Sequence, residues 1–500
     1  MGKRSATFAL MLPPREAGTS LSRWLCSALR TEILEGRLAP GARLPATRDL
    51  SRQYGLSRGT IVGAFEQLKS EGYVEGSVGS GTYVSRVLPD DLLQVTHEAT
   101  AQPSVAQRGR RRVSSYARRV KLFPGFPSRP LRAFRTDQPA LELFPTTLWA
   151  QLAGRRLRRA TANLLLGGGA MGYRPLQEAV ADYLTTSRGV KCAAEQIAIV
   201  SGTQEALDLC ARLFLDPGDR VCMEDPGYPG AALVFEAFGA RISAVRVDEE
   251  GMRTPGSNLR GVRLAYVTPG HQFPTCVGMS LRRRLALLEW ARSTGALIFE
   301  DDYDSEYRYA GRPMPALQGL DRHGCVLFVG SFSKVLFPSL RLGYLVVPPD
   351  LVDLVDATLS VTRRHVPLLE QALLCDFITE GHFGRHVRRM REVYAERLSV
   401  LMESAKQRLT GLLEISGVEA GLQTVGWLCD GVDEAEAVQA AARREVEVTA
   451  VSRYSRGKVT REGLQLGFAA VSAEEIRRGV RELAAALEGV LSRPRAPGAS

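Results

Sequence analysis

The chain has 500 residues, of which 45% are hydrophobic and 24% are charged, which is an ordinary composition for a globular protein. A chain of this length is too long to fold around a single hydrophobic core. We therefore expect a small domain and a large one. The formal net charge is +11, and residues 1–140 carry all of it, with 22 Lys and Arg against 11 Asp and Glu. This asymmetry favours a polyanionic partner for the N-terminal quarter only.

The cysteines and the apolar runs argue against several classes of protein. The eight Cys residues form no CxxC pair and no Cys/His cluster, so we expect neither a disulfide framework nor a metal site, and a cytoplasmic location fits best. No apolar run approaches the ~20 residues that a membrane span needs, so we expect no membrane partner.

Three zones follow one another along the chain. Residues 16–85 alternate helical periodicity with glycine turns, and residues 86–137 are rich in Arg, Ser, Pro and Gln, which is typical of a flexible basic linker. Residues 138–500 alternate strand-like apolar runs with amphipathic stretches, a pattern that predicts α/β units around a mostly parallel sheet. The predicted strands include 197–200, 221–223, 264–267, 297–299 and 326–329.

The first zone reads as three helices followed by a hairpin. Apolar residues spaced by four predict a helix over 20–35, and a second helix over 47–54 ends at Gly55. Ser57 can then cap a third helix. Two short helices joined at a glycine turn form a helix-turn-helix, whose second helix enters the major groove of DNA with its first residues at the base edges. Residues 73–75 and 82–84 predict two strands of a wing.

Three separated motifs in this zone resemble the GntR class of winged-helix DNA-binding domains. They are Leu-Pro-Ala-Thr-Arg at 44–48, Leu-Ser-Arg-Gly-Thr at 56–60 and Gly-Ser-Gly-Thr-Tyr-Val at 79–84. The resemblance covers residues 18–86 and implies that the zone binds double-stranded DNA. The residues that it places on DNA are Arg43, Arg48, Ser57, Arg58, Thr60, Gly79 and Gly81. The alternative is a helical interaction domain whose arginines only solvate it.

Three runs in the third zone suit an anionic, aldehyde-bearing cofactor. Lys334, one of only seven lysines, directly follows a predicted strand in Gly-Ser-Phe-Ser-Lys, and Arg341 lies seven residues later. An acidic run at 300–307 ends another strand, and a small-residue turn at 201–207 opens a helix whose N-terminus favours an anion. Taken singly, each run has another interpretation, because strand-end aspartates often bind metal or cap loops and a lone lysine is usually solvated.

Together and in this order the runs resemble the fold-type I aminotransferases, and more closely the MocR-type regulators that join such a domain to a GntR head. The match covers nearly all of 140–490. It implies a multidomain chain: an α+β winged helix-turn-helix, then an α/β transferase fold that binds pyridoxal phosphate, with a large and a small subdomain. The predicted domains are 16–85, the linker 86–137, and 138–500.

The resemblance also implies a role for each matching residue. Lys334, the one catalytic candidate, would carry the cofactor as a Schiff base. Asp301 would pair with the pyridinium nitrogen, Tyr303 would donate to the ring hydroxyl, and Tyr228 would stack on the ring, although it could also be a core tyrosine. The cofactor phosphate would be held by Gly202, Thr203, Ser331, Ser333 and Arg341.

The sequence departs from the family pattern at three places. Gly-Gly-Gly-Ala at 167–170 replaces a common Tyr-Gly-Asp-Pro run, so Gly167 removes a hydroxyl that would reach the partner subunit's phosphate. Gln465 stands where aminotransferases place the arginine that binds the substrate α-carboxylate, and Arg453 is the candidate substitute. Cys276 replaces a commonly seen glycine.

These observations predict a transcription regulator that binds DNA as a homodimer and senses a vitamin B6 species, an amine or an amino acid. One alternative is a working aminotransferase with a DNA-binding head; Gln465 argues against sustained turnover. Another is a domain that has lost its cofactor and serves as a dimerisation scaffold, and the retention of Lys334, Asp301 and Arg341 argues against it.

Overall fold

A computed structural model describes residues 13, 15, 18–77, 81–88, 112–123, 130–160, 162–254, 259, 261–309, 314–415 and 417–492. The chain divides into two compact units, Met1–Arg112 and Val113–Ser500. Residues 113–123 and 130–137, which the sequence assigned to the linker, lie in the second unit because Arg119 and Ala133 bond to it, through Ala237 and Glu475 respectively. Residues 89–111 and 124–129 of the predicted linker lie outside the described residues.

The first unit has the predicted winged-helix elements. Helices α1 (Leu21–Leu34), α2 (Thr47–Tyr54) and α3 (Arg58–Ser70) precede an antiparallel hairpin of β1 (Val74–Ser77) and β2 (Gly81–Val84). Ser20 and Ser57 cap α1 and α3 through their side chains, and Gly55 ends α2 in the left-handed region at a φ of 62°. The core of the unit consists mainly of Leu25, Leu29, Ile33, Leu44, Leu50, Ile61, Phe65, Leu68 and Val84.

The second unit contains two sheets surrounded by helices. Its described helices are α4 (Ser115–Arg119), α5 (Thr146–Arg158), α6 (Ala162–Leu166), α7 (Arg174–Arg188), α8 (Thr203–Phe214), α9 (Pro229–Phe238), α10 (Leu281–Thr294), α11 (Leu317–Leu320), α12 (Phe332–Val335), α13 (Val352–Thr362), α14 (Leu368–Thr379), α15 (His382–Arg408), α16 (Glu434–Arg443) and α17 (Ala473–Leu491). Its described strands are β3 (Ile197–Val200), β4 (Arg220–Asp225), β5 (Arg241–Asp248), β6 (Gly251–Met252), β7 (Val262–Val267), β8 (Leu297–Asp302), β9 (Val326–Ser331), β10 (Gly343–Val346), β11 (Leu413–Ile415), β12 (Gln423–Leu428), β13 (Thr449–Ala450) and β14 (Gly463–Gly467).

The large sheet has the strand order β3-β10-β9-β8-β7-β4-β5-β6. The strands predicted from the sequence all form, and β5, β4, β7, β8 and β9 pair in parallel. The sheet is nevertheless mixed, because β10 returns antiparallel between β9 and β3 and β6 is antiparallel to β5. Strands β3, β4, β7, β8 and β9 consequently point the same way, and their carboxyl ends share one edge of the sheet.

The second sheet, with the order β11-β12-β14-β13, is antiparallel and forms the smaller part of the unit with α16 and α17. This arrangement confirms the expected large and small subdomains. In the described part of the chain, no helix is long and apolar enough to cross a membrane, and no cluster of His, Cys, Asp or Glu could hold a metal ion.

Candidate cofactor cavity and DNA-binding surface

A cavity of about 450 Å³ lies at the carboxyl edge of the large sheet. Every cofactor residue predicted from the sequence lines it, although these residues come from separate strand ends. The described lining consists of Phe123, Asp137, Gln138, Gly202, Thr203, Gln204, Tyr228, Tyr266, Thr268, Phe273, Asp301, Tyr303, Ser331, Ser333, Lys334, Pro338 and Arg341. We call it the cofactor cavity.

Lys334 lies on the short helix α12, directly after β9. Its Nζ donates to the backbone oxygen of Asp137 at 2.8 Å and lies 3.1 Å from Asp137 Oδ1. Asp137 itself has a φ of 66°, and its N–H donates to Gln423 Oε1 at 3.2 Å. Sequence reasoning missed Asp137 because it lies 197 positions from Lys334 in a stretch that resembled a linker.

One end of the cavity has the donors that a phosphate dianion needs. Gly202 precedes the N-terminus of α8 at a φ of 123°, and a Cβ added there would lie 3.6 Å from the Arg341 guanidinium. Arg341 makes no ion pair among the described residues. The Ser333 hydroxyl is buried without a hydrogen-bond partner there, and the Ser331 hydroxyl accepts from the Ser333 N–H at 3.2 Å. A free cation, two hydroxyls and a helix N-terminus fit a phosphate group.

A buried carboxyl group, that of Asp301, lines the cavity near the end of β8. Its Oδ2 accepts from the Tyr266 hydroxyl at 2.7 Å, and its Oδ1 is 3.5 Å from the Thr203 hydroxyl. Burial raises the pKa of Asp301 to about 7, against the opposing effect of the Tyr266 hydrogen bond. A protonated ring nitrogen is the cationic partner that such a carboxylate lacks. Tyr266 was missed by sequence reasoning, and its one signal is a hydroxyl within the otherwise apolar, buried residues 264–267 of β7.

The aromatic wall of the cavity contains Tyr228, at the N-terminus of α9. Its ring lies 6.3 Å from that of Tyr266 at an angle of 28°, and Phe273 meets it edge-on at 5.7 Å. Gln204 Nε2 donates to the Tyr228 hydroxyl at 3.1 Å. The ring is therefore held on the cavity wall by packing and by a hydrogen bond.

Behind Tyr303 lies a buried pair that the sequence did not indicate. The Tyr303 hydroxyl is 3.2 Å from His271 Nδ1, which is 3.0 Å from Asp304 Oδ2. Burial lowers the pKa of His271, but Asp304 outweighs it and raises that pKa well above its usual range. Because a carboxylate can only accept hydrogen bonds, the Nδ1 proton of His271 is directed to Asp304. The Tyr303 hydroxyl then cannot donate to Nδ1, so its proton is available to the cavity. A side chain at Gly421 would collide with both His271 and Asp304.

The structure does not bring Arg453 to the cavity. Arg453 is exposed on the 3-10 helix Val451–Tyr454, which turns Val451 and Tyr454 inward instead. Gln465 is fully buried on β14, where its Oε1 accepts from the Tyr454 hydroxyl at 3.1 Å, and it does not line the cavity. Neither residue supplies a cation at the place where the sequence comparison with aminotransferases expects one.

The other departures from the family pattern, Gly167 and Cys276, both have a positive φ. Gly167 lines a second cavity of about 320 Å³ at a φ of 107°, and an added Cβ would lie 2.8 Å from His365 Nε2. Cys276 has a φ of 66°, a conformation that glycine adopts more easily, and its Sγ lies 3.5 Å from the Gln423 backbone oxygen.

The start of α3 in the first unit presents the predicted base-contacting residues. The Ser57 Oγ accepts from the Thr60 N–H at 3.1 Å and is 2.8 Å from Thr60 Oγ1, so both side chains are engaged in capping the helix. Arg58, the first residue of α3, is exposed and makes no ion pair with any described residue.

The two other arginines predicted to contact DNA, Arg43 and Arg48, are also exposed. Arg43 pairs with Tyr83 across an isolated bridge, and its guanidinium lies against Gly81 of the wing. Arg48 is the second residue of α2, and the described residues offer no ion pair to Arg43 or Arg48. Gly79 lies outside the described residues.

Two family models match the chain in the order of its two units. The gntR family of bacterial regulatory proteins matches residues 22–84, and the family "Aminotransferase class I and II" matches residues 146–483.

Curated relatives share both regions. The chain is 38% identical to the probable rhizopine catabolism regulatory protein MocR of Rhizobium meliloti, over 95% of this chain and 96% of that protein. It is 30% identical to the HTH-type pyridoxine biosynthesis transcriptional regulator PdxR of Corynebacterium glutamicum, over 96% and 99% of the two chains.

Solved aminotransferases share the fold of the second unit. The α-aminoadipate aminotransferase LysN of Thermus thermophilus, complexed with N-(5′-phosphopyridoxyl)-L-leucine, is 30% identical with a TM-score of 0.66, covering 72% of this chain and 92% of that one. The Pyrococcus horikoshii kynurenine aminotransferase in complex with PMP is 25% identical with a TM-score of 0.68, covering 73% and 93%. The chain thus belongs to the MocR-type HTH transcriptional regulators of the gntR family, in which a DNA-binding head precedes a class I and II aminotransferase domain with pyridoxal phosphate as its cofactor.

Proposed function

We propose that pyridoxal phosphate held on Lys334 makes DNA binding by this regulator responsive to a small amine, amino acid or vitamin B6 species. The observation that carries the proposal is the complementary lining of the cofactor cavity. A cation and two hydroxyls lie at one end, a buried carboxyl group contributes to the wall, and a lysine with a reactive nitrogen lines the same space.

Each predicted cofactor residue then has a defined task. Arg341, Ser331, Ser333, Gly202 and Thr203 hold the phosphate, and the α8 N-terminus adds its dipole. Asp301 pairs with the ring nitrogen, and Tyr303, oriented by the His271–Asp304 pair, donates to the ring hydroxyl. Tyr228 packs on the ring. When bound, pyridoxal phosphate supplies a carbonyl carbon that bonds reversibly to primary amines.

The first unit supplies sequence recognition through the start of α3. We propose that Arg58, Ser57 and Thr60 face the base edges, whereas Arg43, Arg48 and the wing residues Gly79 and Gly81 contact phosphates. Arg43, Arg48 and Arg58 are exposed and make no ion pair with the described residues, which supports DNA contact, because a DNA phosphate can take the place of a carboxylate partner.

We also propose that the active species is a cytoplasmic homodimer that binds two half-sites. Leu165 and Leu166 on α6 are 74% and 82% exposed, and Val361 on α13 is 86% exposed. Large apolar side chains exposed to this degree favour burial against another subunit. Light scattering of the purified protein should give twice the chain mass.

The cavity supports a regulator better than a transaminase. Sustained transamination requires the substrate carboxylate to be held in one orientation, and misplacement by ~1 Å can cost about 100-fold in rate. The buried, neutral Gln465 cannot provide the bidentate cation for that purpose. We expect no sustained turnover from a panel of amino acids with 2-oxo acids; turnover of ~1 per second or faster would favour the enzyme instead.

The test of the proposal replaces Lys334. The full-length protein loaded with pyridoxal phosphate should show a visible absorbance band, and Lys334→Ala should remove it while the far-UV spectrum stays unchanged. Lys334→Arg is the matched control, because it keeps the charge opposite Asp137 but should also lose the band. A band that persists in both variants would show that another residue carries the cofactor.

A second measurement connects the cofactor to DNA. An operator is selected from random DNA with the loaded protein, and its affinity is compared between the loaded wild type and Lys334→Ala in the presence of candidate amines and amino acids. A ligand effect that disappears in the variant supports the proposal, and equal effects on both proteins would contradict it.

A further inference from the structure

The cofactor cavity contains one charged group that the cofactor does not need. Among the described lining residues the charged side chains are those of Asp137, Asp301, Lys334 and Arg341. The last three have tasks in holding pyridoxal phosphate. Asp137 has none, yet its side chain is only 16% exposed and faces the nitrogen of Lys334.

The position of Asp137 is fixed by its backbone. Its φ of 66° lies in the left-handed region, which Asp tolerates better than most residues, and its N–H is held by Gln423 Oε1 at 3.2 Å. Both its carbonyl and its carboxylate consequently point to Lys334 Nζ, at 2.8 and 3.1 Å. The Asp137 carboxylate is therefore largely buried and lies on the wall of the cavity beside Lys334.

Binding of the cofactor changes what Lys334 can offer to Asp137. A free ammonium has three N–H donors, enough for both oxygens of Asp137. A lysine nitrogen bonded to the cofactor keeps at most one, so an acceptor on Asp137 is left without its donor. A largely buried carboxylate without a full set of donors is costly. That cost is removed when an incoming primary amine displaces the Lys334 nitrogen from the cofactor carbon and gives it a proton, because Lys334 then regains the ammonium that faces Asp137.

The same surroundings disfavour a ligand carboxylate. Arg341, the one arginine among the described lining residues, is occupied by the phosphate in the proposed arrangement. Gln465 is neutral and lies behind the wall, and Arg453 is exposed outside it. A carboxylate on the carbon that bears the ligand amine would therefore meet Asp137 as a like charge, and the described lining has no second arginine to pair with it.

We propose that Asp137 is a specificity residue that makes the cavity select primary amines lacking a carboxylate on the amino-bearing carbon. This inference rests on the proposed function, because it requires a cavity that holds the cofactor on Lys334. It narrows the effector from amines and amino acids to amines.

The experiment uses the full-length protein loaded with pyridoxal phosphate and two matched pairs of ligands. Ethylamine is compared with L-alanine, and 1,4-diaminobutane with L-ornithine, each pair differing by one carboxylate. Dissociation constants come from the change in visible absorbance, and each is divided by the constant of the same ligand for free pyridoxal phosphate. The corrected constants should favour the amine by about tenfold or more in the wild type.

Asp137→Asn removes the charge and should bring the ratio within each pair close to one, mainly by tightening the binding of the amino acid. Asp137→Gly removes the carboxylate at a φ that glycine adopts freely, so it should give the same result if the asparagine variant folds poorly. Asp350→Asn makes the same chemical change at an exposed site and should leave the ratio at the wild-type value.

The inference would be overturned if the wild type preferred amino acids, or if the ratio within each pair were unchanged in both Asp137 variants. The proposed function would still stand in that case, provided that the loaded protein shows its visible band. Failure of the wild type to show a band that depends on Lys334 would overturn the proposed function and this inference together.

Discussion

The two units of the chain differ in how far apart their candidate functional residues lie in the sequence and in how exposed these residues are. In the first unit they lie between Arg43 and Gly81, on or beside single helices and a hairpin, and the arginines among them are exposed without ion pairs to the described residues. In the second unit the cavity residues extend from Phe123 to Arg341, and several are buried in polar contacts with one another. A DNA-binding face has to meet water and phosphate, whereas a cofactor site has to exclude water and fix its donors.

The comparison implies that replacing an exposed arginine of the first unit should affect DNA affinity, whereas replacing a buried polar group of the second unit should affect stability. The largest expected effect is that of Asp304→Ala, which removes the carboxylate that pairs with the buried His271 ring. We expect a loss of about 3–5 kcal/mol in the free energy of unfolding of the second unit. Denaturant unfolding of the cofactor-free protein measures this loss.

Glu289→Ala is the control for that measurement. Glu289 pairs with Arg292 on the exposed side of α10, where the two side chains are 63% and 49% exposed, so it should cost less than ~1 kcal/mol. If Asp304→Ala lowers the free energy of unfolding by no more than Glu289→Ala does, the buried pair does not stabilise the second unit. The expected contrast between the two units would then be wrong for the second unit.

Arg58→Ala should show the reverse behaviour in the first unit. Loss of a bidentate contact to guanine should weaken binding to the selected operator by about 1–3 kcal/mol and reduce the preference over random DNA. The unfolding midpoint should not change, because Arg58 is exposed and makes no ion pair with the described residues. Arg253→Ala, an exposed arginine of the second unit, is the control; equal operator affinity in both variants would exclude α3 as the reading helix.

The stability of the cofactor-free protein should depend on pH through Asp301. Its folded pKa of about 7 lies above the usual carboxyl value, because burial outweighs the hydrogen bond from Tyr266 and the charge of Lys334. The folded state keeps a proton between pH ~4 and 7 that the unfolded chain has lost, so stability falls as pH rises, by at most ~1.4 kcal/mol per pH unit for this group.

Asp301→Asn replaces the titratable carboxyl group with an amide that does not titrate. The free energy of unfolding of the wild type minus that of the variant should therefore decrease between pH 5 and pH 7, and urea unfolding at several pH values measures it. Parallel curves for the two proteins would mean that Asp301 is ionised in the folded state before the cofactor binds.

The smallest expected effect is that of Ser57→Ala at the start of α3. The variant loses the cap that the Ser57 hydroxyl provides to the Thr60 N–H, which should destabilise the first unit by ~1 kcal/mol. Ser57→Asn can still accept that hydrogen bond and should be close to the wild type. An alanine variant whose thermal unfolding matches the asparagine variant would show that the cap is not needed.

Local signals in the sequence were sufficient for the elements, whereas the cofactor residues were named from the resemblance to aminotransferases, and their roles stay predictions. Helix α2 forms over Thr47–Tyr54 as predicted, and Ser57 and Gly55 have the predicted capping positions, because caps and glycine turns act within a few residues of the chain. The predicted cofactor residues line one cavity since each follows a strand whose pattern of apolar residues is itself visible, and the ends of strands that run the same way meet at one edge.

Only the tertiary structure decided which distant residues meet. The contact between Asp137 and Lys334 spans 197 positions, that between Tyr266 and Asp301 spans 35, and that between His271 and Asp304 spans 33. No periodicity or cap reports such a contact, because its energy depends on burial and on the approach of two separate segments. The sequence also did not predict that β10 runs antiparallel or that the second unit starts at Val113. Strand pairing and packing determine both features, and local propensity does not.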